Sequence, residues 1–288
     1  MTPLKSFRVN HGLANSIDLR PVAVAVETTS EAYKIARDHL IEIDNKSVRD
    51  GVTLHVHLNM MGRVFEQTQG MLVCIAANRY TSGEALARVV VEGAINLMFM
   101  CLKGDAATVA DYLGNWLDEH DRKLSTLEAH EQASEHAQHV VPMIRERREL
   151  ITSYREFFVK LLDACNLDLQ SCKGAWPQKL ISRFEQLERK SDYFESYHRL
   201  SGSSHVGGED AFLWLLSLSA SVSEKRRIGD EARSYSIMMS RIAALMFVES
   251  AAACAASHGH AEEAGFLEMK AKLSESVAEI AMAAGVPV

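Results

Sequence analysis

Apolar residues recur along most of this chain at intervals of three and four positions, which places them on one face of an α-helix. The segment 52–78 fits two patterns. Alternate positions from Val52 to Met60 are apolar, which is typical of a half-buried strand. A helical spacing extends over a longer window, through Leu54, Leu58, Met61, Phe65, Leu72 and Ile75. Because the helical pattern is the longer one, we interpret residues 52–78 as a helix.

The next segment carries the strongest start signal in the chain. Thr81 followed by Glu84 three residues later is a capping-box signature, and it predicts a helix over 82–103. This helix is apolar on nearly every side, so it is expected to be central in the fold. Asp105 is expected to cap the helix that follows, over 106–126.

The remaining patterns predict helices up to the end of the chain. A charged segment over 128–170 fits one helix, or two bent at Pro142. A loop at 171–177 and a break at 201–204 interrupt the rest. The other predicted helices span residues 30–48, 178–200, 209–223, 225–258 and 260–283. The chain is therefore predicted to be all-α, a multi-helix bundle of about eight or nine helices, with an irregular segment over 1–28 and a single helical domain over 29–288.

Composition and charge narrow the classes of function. The net charge of −7 excludes a general positive field of the kind that coats nucleic acid, so no extended DNA binding is expected. The five cysteines form no CxxC pair, which predicts neither a disulfide framework nor a zinc knuckle. We predict no cofactor and no metal. No secretory signal is recognisable, and charged or amide residues interrupt both long apolar stretches, so we expect a cytoplasmic protein without a membrane span.

The predicted central helix carries one polar stripe. Glu84, Arg88, Glu92 and Asn96 follow one another at four-residue intervals and therefore share a face. Two interpretations stay open. Arg88 and Glu92 can pair directly, with Asn96 extending a structural network that fixes the packing of the helix. Alternatively, the same groups line a cleft and support a functional site.

A second group of polar residues lies at the predicted break, in the stretch Tyr197-His198-Arg199-Leu200-Ser201-Gly202-Ser203-Ser204-His205. Gly202 and the serines can end the helix and turn Arg199 and His205 toward one point. A guanidinium binds phosphate oxygens, and an imidazole transfers protons near neutral pH. Together they suit RNA cleavage without a metal. The alternative is structural: Tyr197, Ser201 and His205 hydrogen-bond a helix end, and Arg199 pairs with Glu195.

Other histidine patterns do not add up to a metal site. Glu195 and His198 form a single ExxH pair, whereas a di-metal bundle needs two. The pairs His55/His57 and His258/His260 have no assignable carboxylate partner, and we interpret them as solvated histidines.

The stretches "ALARVVVEGAINLMFM" (85–100) and "YHRLSGSSH" (197–205) resemble a family of helical, mostly bacterial proteins of unknown function. That family combines an Arg-x3-Glu helix with a distal Tyr-x3-Ser-x3-His element, matched here by Arg88, Glu92, Tyr197, Ser201 and His205. The resemblance covers about residues 50–250 and implies an α-helical fold. More remotely, Arg199-x5-His205 is similar to the Arg-x(4–6)-His element of the HEPN superfamily, although Leu200 stands where that element usually has a polar residue. The HEPN resemblance implies a metal-independent ribonuclease that acts as a homodimer.

Two hypotheses follow for the function. The first is a HEPN-like RNA-cleaving or RNA-binding protein with Arg199 and His205 as catalytic residues. Arg88, Glu92, Asn96, Tyr197 and Ser201 would support that site. The second is a non-catalytic helical binding or scaffold protein, in which the same Arg, Glu and His residues form a structural network.

Overall fold

The structure is a computed structural model that describes residues 1–44, 47–131, 137–203, 208–261 and 263–283. It is 84% helical, and the described residues form no strand. Twelve α-helices of four residues or more lie within these ranges. They are α1 (Pro3–Asn10), α2 (Ala23–Ile41), α3 (Val48–Ala76), α4 (Tyr80–Leu102), α5 (Ala106–Glu131), α6 (Ala137–Ala164), α7 (Leu169–Cys172), α8 (Leu180–Gln186), α9 (Arg199–Ser203), α10 (Gly208–Ser219), α11 (Val222–Ser257) and α12 (Ala264–Ala283).

The all-α class is confirmed, but the predicted count of eight or nine helices is wrong. Two of the additional helices, α1 and α7, are short and capped locally, and they carry no long apolar pattern. Another arises because the predicted helix 178–200 divides into α8 and the segment that contains α9. Thr2 accepts a hydrogen bond from the Lys5 amide at the start of α1, inside the segment predicted to be irregular. Asp168 accepts one from the Ser171 amide and starts α7. The prediction of a single domain over 29–288 stays a prediction.

Residues 52–78 are helical, and the predicted break at 201–204 is helical in part. Residues 52–78, where strand and helix patterns competed, form most of α3, so the helical interpretation is confirmed. The predicted break at 201–204 lies partly inside a helix, because α9 continues through Ser203. The helical segment 190–203 consists of one α-turn (Lys190–Asp192), a π-helix (Tyr193–His198) and α9.

The chain divides into two compact units. Unit 1 comprises residues 1–43, 57–103 and 179–288, and unit 2 comprises residues 44–56 and 104–178. In unit 1, α11 packs against α4, α2 and α12, which confirms that the apolar helix α4 is central. Ten residues of α4 are buried, including Val90, Leu97 and Phe99.

Glycine allows α3 and α4 to approach closely in unit 1. A Cβ added to Gly93 of α4 would lie 2.7 Å from Cγ2 of Val64 in α3. That distance is below van der Waals contact, and valine is β-branched, so its side chain cannot rotate away freely. The helix–helix distance at this crossing therefore depends on the absence of a side chain at position 93.

We expect Gly93→Ala to lower the free energy of unfolding by about 1–2 kcal/mol, because overpacking outweighs the better helix propensity of alanine. The matched control is Gly229→Ala in α11, where an added Cβ meets no atom within 4 Å. That change should raise stability by up to about 1 kcal/mol. Urea denaturation measures both, and a stabilising effect of Gly93→Ala would contradict the close crossing.

Unit 2 is built around an antiparallel pair, α5 and α6. Their buried residues recur every seven positions, which is the spacing of a coiled-coil seam. These residues are Ala110, Leu117 and Leu124 in α5 and Ile144, Ile151 and Phe158 in α6. Two ion pairs connect the helices in the antiparallel arrangement: Arg148 contacts Glu128 at 2.7 Å, and Arg155 contacts Asp118 at 3.2 Å. Pro142 lies inside the single helix α6.

Two helices in the described part of the chain, α4 and α11, are long and apolar enough to cross a membrane by length and composition. The most apolar window of each is about half buried within the fold, 50% in α4 and 56% in α11. Core helices of soluble proteins have the same properties. The cytoplasmic location and the absence of a membrane partner stay predictions.

Candidate functional site

The polar stripe of α4 is half-buried, and its members have different partners. Glu84 accepts a hydrogen bond from Ser236 of α11 instead of closing the predicted capping box, and α4 starts without a side-chain cap. Arg88 and Glu92 face the helical segment 190–203. The Oδ1 atom of Asn96 is buried and has no hydrogen-bond partner among the residues that the structure describes.

Arg88 is held by two hydroxyl groups from the segment 190–203. Its Nη2 donates to the Tyr197 hydroxyl at 2.7 Å, and its Nε donates to the Ser201 hydroxyl at 3.2 Å. The Arg88 Cζ atom also lies 4.8 Å from the centre of the Tyr197 ring, within cation–π range. Ser201 in turn donates to the backbone carbonyl of Tyr197 at 2.9 Å, which directs its lone pairs toward Arg88.

Arg88 and Glu92 do not form the direct ion pair that their spacing suggested. Among the residues described, no carboxylate oxygen lies within 4 Å of the Arg88 guanidinium, and Glu92 reaches the network only through the Tyr197 hydroxyl, at 3.4 Å. Burial raises the pKa of Tyr197, the charge of Glu92 adds to this effect, and Arg88 opposes it. The phenol therefore stays neutral, and its hydroxyl lies between the Arg88 guanidinium and the Glu92 carboxylate.

A π-helix presents Tyr197 to Arg88. The π-helix Tyr193–His198 leads directly into α9, and single-turn π-helices are frequent at functional sites. Ser196 and Leu200 of the same segment are buried, so this side of the segment is fixed in the core. Leu200 is the residue that departs from the HEPN pattern, and packing explains its apolar character.

Arg199 does not join the Arg88 network. It is exposed, and it precedes Ser201 by two residues in α9, which is about 200° around the helix. His205, the other predicted catalytic residue, lies outside the described residues. The approach of Arg199 and His205 to a common point therefore stays a prediction, whereas Arg88, Glu92, Tyr197 and Ser201 lie together.

A second cluster lies where α3, α4 and α11 meet. His57 Nδ1 lies 2.9 Å from His258 Nε2 and 3.5 Å from Cys101 Sγ. Cys254, one helical turn before His258, completes the cluster: its sulfur and the ligand atoms of His57 and Cys101 all lie within 4.8 Å of one another. His57 and Cys254 are buried, with relative exposures of 3% and 0%.

The thiols of this cluster interact directly. The Cys254 S–H donates to Cys101 and lowers the pKa of Cys101 to about 6; burial opposes this shift and His57 adds to it. The same hydrogen bond, together with burial, raises the pKa of Cys254. Burial lowers the pKa of His258 to about 4, helped by the charges of His57 and His39. Cys101 is thus the more acidic thiol of the pair.

Sequence reasoning missed this cluster because it treated each HxH pair alone. His55 does behave as expected, since it is exposed and bonds the Gly51 carbonyl oxygen at 2.7 Å. His57 instead faces the core of unit 1. The available signal was Cys254-x3-His258, a one-turn spacing that places two metal-ligand side chains on one face of a helix.

Residues 54–215 match the family of unknown function DUF5677. The chain belongs to this family. The match covers more than half of the 288 residues and confirms the expected membership of an uncharacterised helical family. No curated protein and no solved structure matches the chain. The HEPN similarity and the bacterial origin stay predictions.

The DUF5677 segment contains all four members of the Arg88 network. It also contains His57 and Cys101 of the second cluster, whereas Cys254 and His258 lie beyond its end. All residues of the Arg88 network therefore come from the family segment, whereas the cluster also takes residues from α11.

Proposed function

We propose that this DUF5677 protein is a cytoplasmic, HEPN-like RNA-binding protein, and that Arg88 contacts the RNA backbone. The observation that carries the proposal is the half-buried Arg88 guanidinium, which is held by two neutral hydroxyls and has no described carboxylate within 4 Å. A charge held in this way is available to an anion, and phosphate is the anion that suits the planar fork of arginine.

The free donors of Arg88 support the same conclusion. A guanidinium has five N–H groups, and Arg88 uses one on Nε and one on Nη2 for Ser201 and Tyr197. The Nη1 group makes no hydrogen bond to the residues that the structure describes. Tyr197 and Ser201 fix the plane of the fork, so a phosphate would meet a donor pair that is already oriented. Such a local site is compatible with the overall negative charge, because it does not require a basic surface.

RNA cleavage is the finer part of the proposal. It depends on the sequence prediction that His205 transfers a proton and that Arg199 stabilises charge on the phosphate. Arg88 contacts one side of the segment 190–203, and Arg199 projects from another side of it. Binding and cleavage are therefore tested with separate variants. A homodimer, as the HEPN resemblance implies, would bring a second copy of each residue.

We expect Arg88→Ala to weaken binding of a single-stranded RNA about tenfold, the effect of losing one phosphate contact. The plot of log affinity against log salt concentration should become shallower by about one unit. Fluorescence anisotropy with a labelled RNA measures both. Arg88→Lys keeps the charge and loses the planar fork, so its RNA affinity should lie between those of the wild type and Arg88→Ala.

The matched control is Arg63→Ala in α3, which removes an equal charge from an exposed side chain paired with Glu66. It should bind RNA like the wild type.

Cleavage is then followed in chelator for the wild type, Arg199→Ala and His205→Ala, with melting curves in the same buffer. Equal RNA affinity of the wild type and Arg88→Ala would overturn the binding proposal, and equal cleavage by all three proteins would overturn the catalytic roles.

One observation favours the second candidate, a non-catalytic scaffold that acts as a homodimer. The helix α10 exposes large apolar side chains on several sides, each more than half accessible, and an apolar helix of this kind usually packs against a partner. They are Phe212, Trp214, Leu215, Leu216 and Leu218. A dimer in sedimentation experiments, combined with no RNA binding by the wild type, would favour this candidate over the first.

A further inference from the structure

Three side chains of unit 1, His57, Cys101 and Cys254, have ligand atoms within 4.8 Å of one another, and a fourth, His258, contacts the His57 ring. His57 comes from α3, Cys101 from the last turn of α4, and Cys254 and His258 from the end of α11. The positions are separated by many residues in the chain, so only the fold brings them together. Two sulfurs and two imidazole nitrogens are the donor set of tetrahedral structural zinc sites.

Two of the ligand distances compare directly with such a site. Donor atoms of a tetrahedral zinc ion with two sulfur and two nitrogen ligands lie about 3.3–3.8 Å apart. The separation between Cys101 Sγ and His57 Nδ1 is 3.5 Å, within this range. The nitrogens of His57 and His258 are 2.9 Å apart, and the His258 ring would have to move away from His57 and toward the two sulfurs. His258 is the C-cap residue of α11, one position beyond the last helical residue.

The orientation of His57 is also that of a ligand. Its ring is buried, its Nδ1 atom faces Cys101 and His258, and its Nε2 atom has no hydrogen-bond partner among the described residues. Within that part of the chain, the polar contacts of the ring are made inside the cluster. The backbone around His258 is held in place as well, since His39 Nε2 lies 3.1 Å from the His258 carbonyl oxygen.

We propose that Cys101, Cys254, His57 and His258 bind one Zn²⁺ ion as a closed structural site. Thiolate and imidazole ligands favour zinc over magnesium or calcium, which prefer oxygen. Four protein ligands leave no position for water, so the ion would join the ends of α4 and α11 to α3 and would not catalyse a reaction. This proposal is independent of RNA binding at Arg88, and it departs from the sequence prediction of no metal.

The test uses the full chain, purified under a thiol-free reducing agent, freed of metal with a chelator, dialysed and then reconstituted with Zn²⁺. We expect the reconstituted protein to retain one Zn²⁺ per chain after gel filtration and to melt at a higher temperature than the metal-free protein. Cobalt(II), as a spectroscopic probe, should give the intense near-ultraviolet absorption of thiolate-to-metal charge transfer. Zinc should displace the cobalt and remove this absorption.

Cys101→Ser and Cys254→Ser should each weaken zinc binding at least a hundredfold and reduce the charge-transfer absorption. The matched control is Cys74→Ser in α3, which removes a partly exposed free thiol of the same unit outside the cluster. It should bind zinc and cobalt like the wild type. If a cluster variant fails to fold, alkylation of the wild type followed by mass spectrometry replaces it, and zinc should protect Cys101 and Cys254 but not Cys74.

Three results would overturn the proposal. The first is a wild-type protein that retains no stoichiometric zinc after reconstitution. The second is charge-transfer absorption that Cys101→Ser leaves unchanged while Cys74→Ser removes it. The third is alkylation of Cys101 and Cys254 at the same rate with and without zinc.

Discussion

Replacing Phe247 by alanine is expected to lower the free energy of unfolding by about 3–5 kcal/mol, the usual cost of deleting a fully buried aromatic ring. Phe247 of α11 has a relative exposure of 0%. Its ring centre lies 5.7 Å from that of Phe65 in α3, which stacks on Tyr33 of α2 at 4.1 Å. The substitution therefore leaves a cavity where three helices of unit 1 meet.

Phe212→Ala in α10 is the control for this prediction. It removes the same atoms from a side chain that is 69% exposed, so stability should change by no more than about 0.5 kcal/mol. Urea denaturation followed by circular dichroism measures both variants. Similar midpoints for Phe247→Ala and the wild type would show that α11 does not pack against α3 as described.

The second large effect concerns Glu249, which lies between two cations. Its Oε2 atom accepts from Arg189 Nη1 at 2.6 Å, and its Oε1 atom contacts Lys270 Nζ at 2.6 Å. Burial lowers the pKa of Arg189, but the charges of Glu249 and Asp192 outweigh it and raise the pKa overall. We expect Glu249→Gln to lower the free energy of unfolding by about 2 kcal/mol, because the half-buried Arg189 loses a hydrogen bond to a charged partner and keeps only Asp192.

The corresponding exposed pair provides the comparison. Glu185 contacts Lys190 at 2.7 Å with both side chains largely accessible to solvent. Glu185→Gln should therefore change stability by less than about 1 kcal/mol. Equal effects of the two Glu→Gln changes in urea denaturation would contradict the structural role given to Glu249.

Long helices could be predicted from the sequence because their signals are local. The apolar pattern of α4 predicted a central helix, and Asp105 caps α5 by accepting from the Thr108 amide at 3.0 Å, as expected. The short helices α1 and α7 could not be predicted in this way, because eight or fewer residues contain too few periods of the pattern.

The coiled-coil seam of unit 2 has a seven-residue apolar repeat that is visible in the sequence, but the prediction did not use it. Ala110, Leu117 and Leu124 recur at seven-residue intervals, and so do the buried residues of α6. The many charges of α6 suggested a solvated helix instead. Its ion pairs with α5, such as Arg148 with Glu128, show that part of this charge lies beside the seam.

The candidate site was predicted in composition but not in geometry. Four-residue spacing placed Arg88 and Glu92 on one face of α4, and the Tyr-x3-Ser spacing placed Tyr197 and Ser201 together. That these two pairs meet depends on contacts between residues more than 100 positions apart. Local patterns contain no information on such contacts. The same reason explains why the cysteine spacing did not indicate that Cys101 and Cys254, on different helices, lie together.

The order of the helices has a consequence for biosynthesis. Unit 1 is assembled from three separate stretches, and α4 is covered by α11, which the ribosome produces much later. The apolar surface of α4 is therefore exposed on the nascent chain until α11 emerges. A recombinant fragment cut at residues 54–215 would retain α4, omit its cover and aggregate, so expression should include both flanking regions.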